Sequence, residues 1–127
     1  MKIARFLTSA AVLAALTIPM APAVAGDDDV RRSGSCSRNT NWKLKLSPEN
    51  GGIEVEYEVD QNVNGSTWRV TLKHDGDRFF RGRRTTQPPS GSFEVRRVTG
   101  DRRGTDRITA RARNLSTDEL CRGSASI

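Results

Sequence analysis

Histidine, cysteine and aromatic residues are scarce in this chain, and each scarcity closes off a class of function. There is one histidine, His74, and there are two cysteines, Cys36 and Cys121. One imidazole, with two thiols that read as bridged, leaves no ligand set for a zinc centre. Neither thiol has the CxxC spacing or adjacent histidine that would make it reactive. Aromatic residues make up 6% of the chain. Trp42, Tyr57, Trp68 and Phe93 fall at apolar positions of alternating segments, so only Phe79 or Phe80 is spare for base stacking. Reading single-stranded nucleic acid generally takes more stacking surface than that. No segment shows a 3.6-residue apolar period, which argues against amphipathic helices.

What is present begins with a targeting pattern. Lys2 and Arg5 precede the apolar stretch Phe6 to Ile18, broken only by Thr8, Ser9 and Thr17. Pro19 and Pro22 interrupt it, and Ala23-Val24-Ala25 offers small residues at a cleavage position. This predicts a cleaved signal peptide over residues 1–25 and a mature chain starting at Gly26. The apolar run is too short to anchor in a bilayer, and no stop-transfer segment follows, so no membrane span is expected. Cys36 has no lipobox before it, and the last residues form no hydrophobic tail. The expected product is secreted and extracellular. In that compartment Cys36 and Cys121 are most simply a structural disulfide near the two ends of one domain. In the chain-entropy model, closing so long a loop stabilises the fold by roughly 4–5 kcal/mol.

Charge is unevenly spread. Without Lys2 and Arg5, 19 of the 21 basic residues face 15 acidic ones, a net charge of +4. From Gly26 to Asp77 there are 7 basic and 10 acidic residues, whereas Arg78 to Arg113 holds 11 arginines against Glu94, Asp101 and Asp106. Such asymmetry can mark an anion-binding face or simply a solvated surface filled with arginine.

Residues 26–35 (GDDDVRRSGS) read as a flexible charged leader. From Cys36 onward the pattern has period two. Trp42, Leu44 and Leu46 alternate with lysines, and Ile53, Val55, Tyr57 and Val59 alternate with glutamates. A pleated strand sends successive side chains to opposite faces, so each segment has one apolar and one charged face. Ser47 to Gly52 is turn chemistry, and a hairpin there would set Lys43 and Lys45 opposite the glutamates. Further strands are expected at Trp68–Leu72, Arg78–Arg84, Phe93–Val95, Ile108–Ala112 and Cys121–Ile127, with a bulge or strand end before Val98. The alternation buries Trp68, Val70 and Leu72 with Ile53–Val59 and Ile108–Ala112. The fold class is therefore all-β: an antiparallel sandwich of about seven strands over residues 36–127.

At fold level these residues resemble an immunoglobulin-like or fibronectin-type-III-like sandwich. Trp68 stands where the buried tryptophan of the third strand would fall, and Gly104 to Ala112 resembles the later corner and strand. Ile108 replaces the corner tyrosine and Ala110 the second cysteine, so the usual inter-sheet disulfide is not implied. At family level the chain resembles small secreted actinobacterial proteins of unassigned function. The shared features are Cys36, the strand led by Trp42, Ile53–Val59, Val59–Gly65, Pro89–Phe93 and Cys121. The resemblance spans nearly the whole mature chain and implies no activity.

Four constellations invite chemistry. Asp60, Asn62, Asn64 and Gly65 match the opening of a calcium loop, but position twelve is Thr71 instead of a bidentate glutamate. A hairpin turn with Asn64-Gly65 at positive φ accounts for the same residues. His74, between strands and beside Asp75 and Asp77, is expected on an exposed hairpin turn and not in a triad with Ser90 or Ser92. Glu54, Glu56 and Glu58 share one strand face; paired catalytic carboxylates would need a cleft that so small a sandwich hardly affords. Arg81, Arg83, Arg84, Arg96, Arg97, Arg107, Arg111 and Arg113 are the candidate anion-binding set, provided that their strands are neighbours. The expectation is a secreted, non-enzymatic binding or interaction module. The alternative is a polyanion-binding protein that holds wall polymer, acidic glycan or nucleic acid on an arginine-rich face.

Overall fold

A computed structural model describes residues 28–127, so the expected signal peptide and its cleavage site lie outside the described residues. Eight strands follow in order: β1 (Val30–Ser35), β2 (Asn41–Glu49), β3 (Gly52–Asp60), β4 (Thr67–His74), β5 (Asp77–Thr85), β6 (Ser92–Gly100), β7 (Arg107–Asn114) and β8 (Leu120–Ser126). They form two four-stranded antiparallel sheets, β1-β2-β3-β6 and β5-β4-β7-β8. The chain passes between sheets three times, after β3, β5 and β6, giving the immunoglobulin-like arrangement with one additional edge strand.

The hairpins form where the residues demand them. Asn50 and Gly51, with φ of 45° and 78°, close the β2–β3 turn, and Asp75 and Gly76, with φ of 48° and 87°, close β4–β5. Positive φ at both central residues matches the right-handed twist of the paired strands. In the first hairpin Lys43 stands opposite Glu58 and Lys45 opposite Glu56, as the alternation predicts. Lys45 Nζ lies 3.2 Å from Glu56.

The apolar halves of the strands meet between the sheets. Trp68, Val70 and Leu72 are fully buried, as are Val55, Tyr57, Val59, Ile108 and Ala112. Val70 pairs with Ala112 and Leu72 with Ala110 as same-sheet neighbours, while Ile53–Val59 comes from the facing sheet. The Tyr57 hydroxyl donates to the Cys121 carbonyl at 3.2 Å, and burial pushes its pKa above the ordinary tyrosine value. The Cys36–Cys121 disulfide is formed, with Cα atoms 4.3 Å apart, and joins the β1–β2 loop to β8. Beside it the buried Glu119 carboxylate accepts from the amides of Arg38 and Thr40 and from the Thr40 hydroxyl. Trp42 closes the same edge by lying against Gly34 and Gly123, where a Cβ would come within 2.9 Å and 2.6 Å of its ring.

Three expectations are corrected here. Residues 26–35 are not a leader throughout: Val30–Ser35 is strand β1, paired with β2 from Val30–Leu46 to Ser35–Asn41. Its charges suit an edge strand, where one side is open to water. With it the described residues hold eight strands, in line with the sandwich of about seven expected. The segment Asp60–Ser66 is an inter-sheet crossover and not a hairpin, since β3 and β4 belong to different sheets. β6 runs without a register break to Gly100 and leaves Val98 on the outside; the irregularity in this region of the fold lies between β4 and β5, at Leu72/Lys73.

Candidate anion-binding face

Sheet register decides which arginines meet. On β4 the inward Trp68, Val70, Leu72 and His74 leave Arg69, Thr71 and Lys73 pointing away from the core. Arg69 is paired with Arg83 of β5 and Arg113 of β7. Thr71 is paired with Arg81 and Arg111, and Arg111 continues to Arg122 of β8. Lys73 is paired with Arg78 and Thr109, and Thr109 with Ser124. Arg107, paired with Ser126, extends the face beyond these rungs. Nine cationic side chains thus occupy the outer face of β5-β4-β7-β8, and no outward position on those paired rungs carries a carboxylate. With strands about 4.8 Å apart and same-face residues about 6.7 Å apart, the patch measures on the order of 14 by 20 Å.

The relief of this face is shallow. One depression of about 350 Å³ is lined by Arg69, Thr71, Lys73, Arg78, Arg81, Arg111 and Arg113. A second, of about 390 Å³, shares Thr71, Lys73 and Arg111 and reaches across Thr109 to Arg122 and Ser124. Only the rim holds anions: Arg113 bonds Asp118 at 3.2 Å in the β7–β8 turn. Like charges at these spacings lie within a Debye length of one another, so they repel until a counterion arrives.

Of the eight arginines singled out from the sequence, Arg81, Arg83, Arg107, Arg111 and Arg113 belong to this face. Three do not. Arg84 and Arg97 lie over the Phe80 ring at 5.2 Å and 4.5 Å from its centroid, bridging β5 and β6 at the edge of the sandwich. Arg96 is on the other sheet, where its guanidinium contacts Glu56 at 2.5 Å and Glu94 at 3.7 Å. Sequence reasoning missed Arg69, Lys73, Arg78 and Arg122. The signal for the first two was available, because they are the polar half of the β4 alternation. What hid them was counting charge by sequence window.

The outer face of the opposite sheet carries Glu54, Glu56, Glu58 and Glu94, crossed by Lys45 and Arg96. Glu54, Glu56 and Glu94 are ion-paired there, and Arg31 and Lys43 share the surface, so this face is of mixed charge whereas the other is cationic.

The candidate calcium residues lie in the crossover. Asp60 Oδ1 accepts from the Asn62 amide at 3.3 Å, and Asn62 has a φ of 57°. Gln61 turns inward, and its Oε1 accepts from Trp68 Nε1 at 3.0 Å. Gly65, and not Asn64, supplies the second positive φ in this segment. Among the described residues, the histidine and carboxylates close enough to share an ion are instead His74, Asp75 and Asp106, at the other end of β4.

His74 is the clearest departure from expectation: it is fully buried, not exposed on a turn. It ends the inward run of β4, so its ring enters the end of the sandwich. Nε2 donates to Asp106 Oδ1 at 2.5 Å, and Nδ1 bonds the Thr99 hydroxyl of β6 at 2.9 Å. Both ring nitrogens are therefore engaged, across both sheets. Burial works to raise the Asp106 pKa, but hydrogen bonds from His74, Asp101 and the Arg102 amide outweigh it and hold the carboxyl below its ordinary range. Asp101, hydrogen-bonded to that carboxylate, is pushed up. Arg102 closes the cluster by reaching Asp77 at 2.9 Å. Ser90 and Ser92 bond each other at the opposite end of β6, about seven strand residues from Thr99 and so on the order of 23 Å away. His74 and these serines do not meet.

Comparison of the chain with known families, with characterised proteins and with solved structures gave no match. No helix among the described residues is long and apolar enough to cross a membrane.

Proposed function

We propose that this protein is a secreted, non-enzymatic binding module that holds an anionic extracellular polymer on the outer face of β5-β4-β7-β8. The observation that carries this reading is the gathering of nine cationic side chains, from four strands, on one face without an outward carboxylate. Eight of the nine are arginines, whose planar forks match oxyanions in pairs of hydrogen bonds. The hydrogen-bonded sheet fixes the backbone beneath these charges, so binding costs the rotamer freedom of the arginines but little backbone ordering. The disulfide supports the export part of the reading, since such bonds persist outside reducing compartments.

The test is a salt gradient on immobilised heparin. The mature protein is expected to be retained at low salt. The triple variant Arg69→Gln/Arg111→Gln/Arg113→Gln should elute much earlier, with a salt slope shallower by about one per lost contact. Arg96→Gln, on the opposite sheet, should elute with the parent. Passage of the parent protein through the column at low salt, or equal elution of all three, would overturn the reading.

A further inference from the structure

We propose that the polymer is a polyuronate, a sugar chain carrying planar carboxylates, and that Thr71 and Thr109 form the floor on which its rings rest. This rests on the anion-binding reading above and goes further by choosing the ligand chemistry. The two depressions meet at Thr71, Lys73 and Arg111. Thr71 and Thr109 lie on the two central strands, half-buried and ringed by longer cationic side chains. Among the described residues neither hydroxyl is engaged by another side chain, whereas Ser124 already accepts from Arg107 Nε at 3.2 Å.

A ligand that fits must bring hydrogen-bonding groups to the floor and anions to the rim at the same time. A sugar acid does both: ring hydroxyls meet the threonines, and its carboxylate meets an arginine fork. Nucleic acid fits less well. Its bases seek aromatic faces, and among the described residues the aromatics are used elsewhere: Tyr57, Trp68 and Phe93 are buried, and Trp42, Phe79 and Phe80 pack against the core. A bare phosphate chain accepts from the floor hydroxyls, but it has no donor for their lone pairs and no ring to rest on the floor.

The experiment measures binding of polygalacturonate, single-stranded DNA and inorganic polyphosphate to the mature protein at one fixed moderate salt concentration. Three forms are compared: parent, Thr71→Val/Thr109→Val and Arg111→Lys. Valine keeps the volume and the strand preference of threonine, so the fold should persist; circular dichroism checks it. Polygalacturonate should bind tightest. The double valine variant should lose about tenfold of that affinity, the worth of one or two neutral hydrogen bonds, with an unchanged salt slope and a smaller loss for polyphosphate, which can only accept. Arg111→Lys keeps the charge but loses the fork that carboxylate and phosphate both accept, so it should weaken both polymers at an unchanged salt slope, leaving the valine pair to separate them. Tighter binding of DNA or polyphosphate, or no effect of the valines, would overturn the polyuronate assignment while leaving the anion-binding face standing. Failure of all three polymers to bind would overturn both.

Discussion

Replacing Trp68 with alanine removes the largest side chain that is fully buried between the sheets. The ring lies 6.4 Å from Phe93 in a tilted arrangement, and its Nε1 donates to Gln61 Oε1 at 3.0 Å. Truncating a buried aromatic residue to alanine typically costs about 3–5 kcal/mol in lost transfer energy and residual cavity. The Gln61 amide would lose its partner as well, which for one neutral hydrogen bond adds about 0.5–1.5 kcal/mol. Gln61 stands at the β3–β4 crossover, so this loss also loosens the segment that carries the chain between sheets. A total near 4–6 kcal/mol is a large share of the roughly 5–15 kcal/mol that stabilises a small domain. Arg69, next in sequence but facing out, should cost within about 0.5 kcal/mol when replaced by alanine. It could even stabilise, since Arg83 and Arg113 flank it. The assay is urea unfolding of parent, Trp68→Ala and Arg69→Ala, followed by circular dichroism because Trp68 is itself a fluorophore. The midpoint should fall sharply for the first alone, at similar slope. Equal midpoints for the two variants would refute the assigned inward face and the packing argument built on it.

The other predictions concern separate parts of the fold. Gly123→Ala would place a methyl group 2.6 Å from the Trp42 ring and should cost about 1–3 kcal/mol by overpacking, read as a lower thermal midpoint. Cys36→Ser/Cys121→Ser opens a crosslink of sequence separation 85 and should cost about 4–5 kcal/mol in the chain-entropy model, seen in denaturant melts. Stability should fall in acid, because Asp106 is held below its ordinary pKa: its contribution is present above the unfolded value and lost as pH falls through the folded one. Asp101 is raised and has the opposite sign, so its contribution is lost as pH rises through its folded value, and the two titrate as a pair. Unfolding free energies of parent and Asp106→Asn across the acid range should converge at low pH; parallel curves would remove Asp106 as the cause. Raising the ionic strength should stabilise the parent more than the triple arginine variant, since screening relieves repulsion that the variant no longer has.

The alternation of apolar and charged residues was enough to identify most of the strands and their inward sides, except in β5, where Phe79-Phe80 leaves the inward face open. Burying the wrong side would put Glu54, Glu56 and Glu58, or Arg107 and Arg111, into the core at a cost no small domain can bear. Asn50-Gly51 and Asp75-Gly76 likewise announce their hairpins, because few residues adopt two consecutive positive φ angles. Strand β1 was not legible in this way. An edge strand borrows its hydrogen bonds from a neighbour and needs no apolar face, so Val30–Ser35 looks like a charged leader until β2 stands beside it.

Arg96 and Arg97 show where local pattern stops: adjacent in the chain, one joins the glutamates of the outer surface and the other stacks on Phe80 at the edge. His74 shows the same for burial. A turn residue by sequence, it becomes an interior one because Thr99 and Asp106 arrive from β6 and the loop after it. Period-two patterning is a property of a single strand, and it determined which residues face in and which face out. Which outward residues become neighbours depends on the crossovers that set β4 between β5 and β7, and only that tertiary pairing brought Arg69, Arg83 and Arg113 onto one rung.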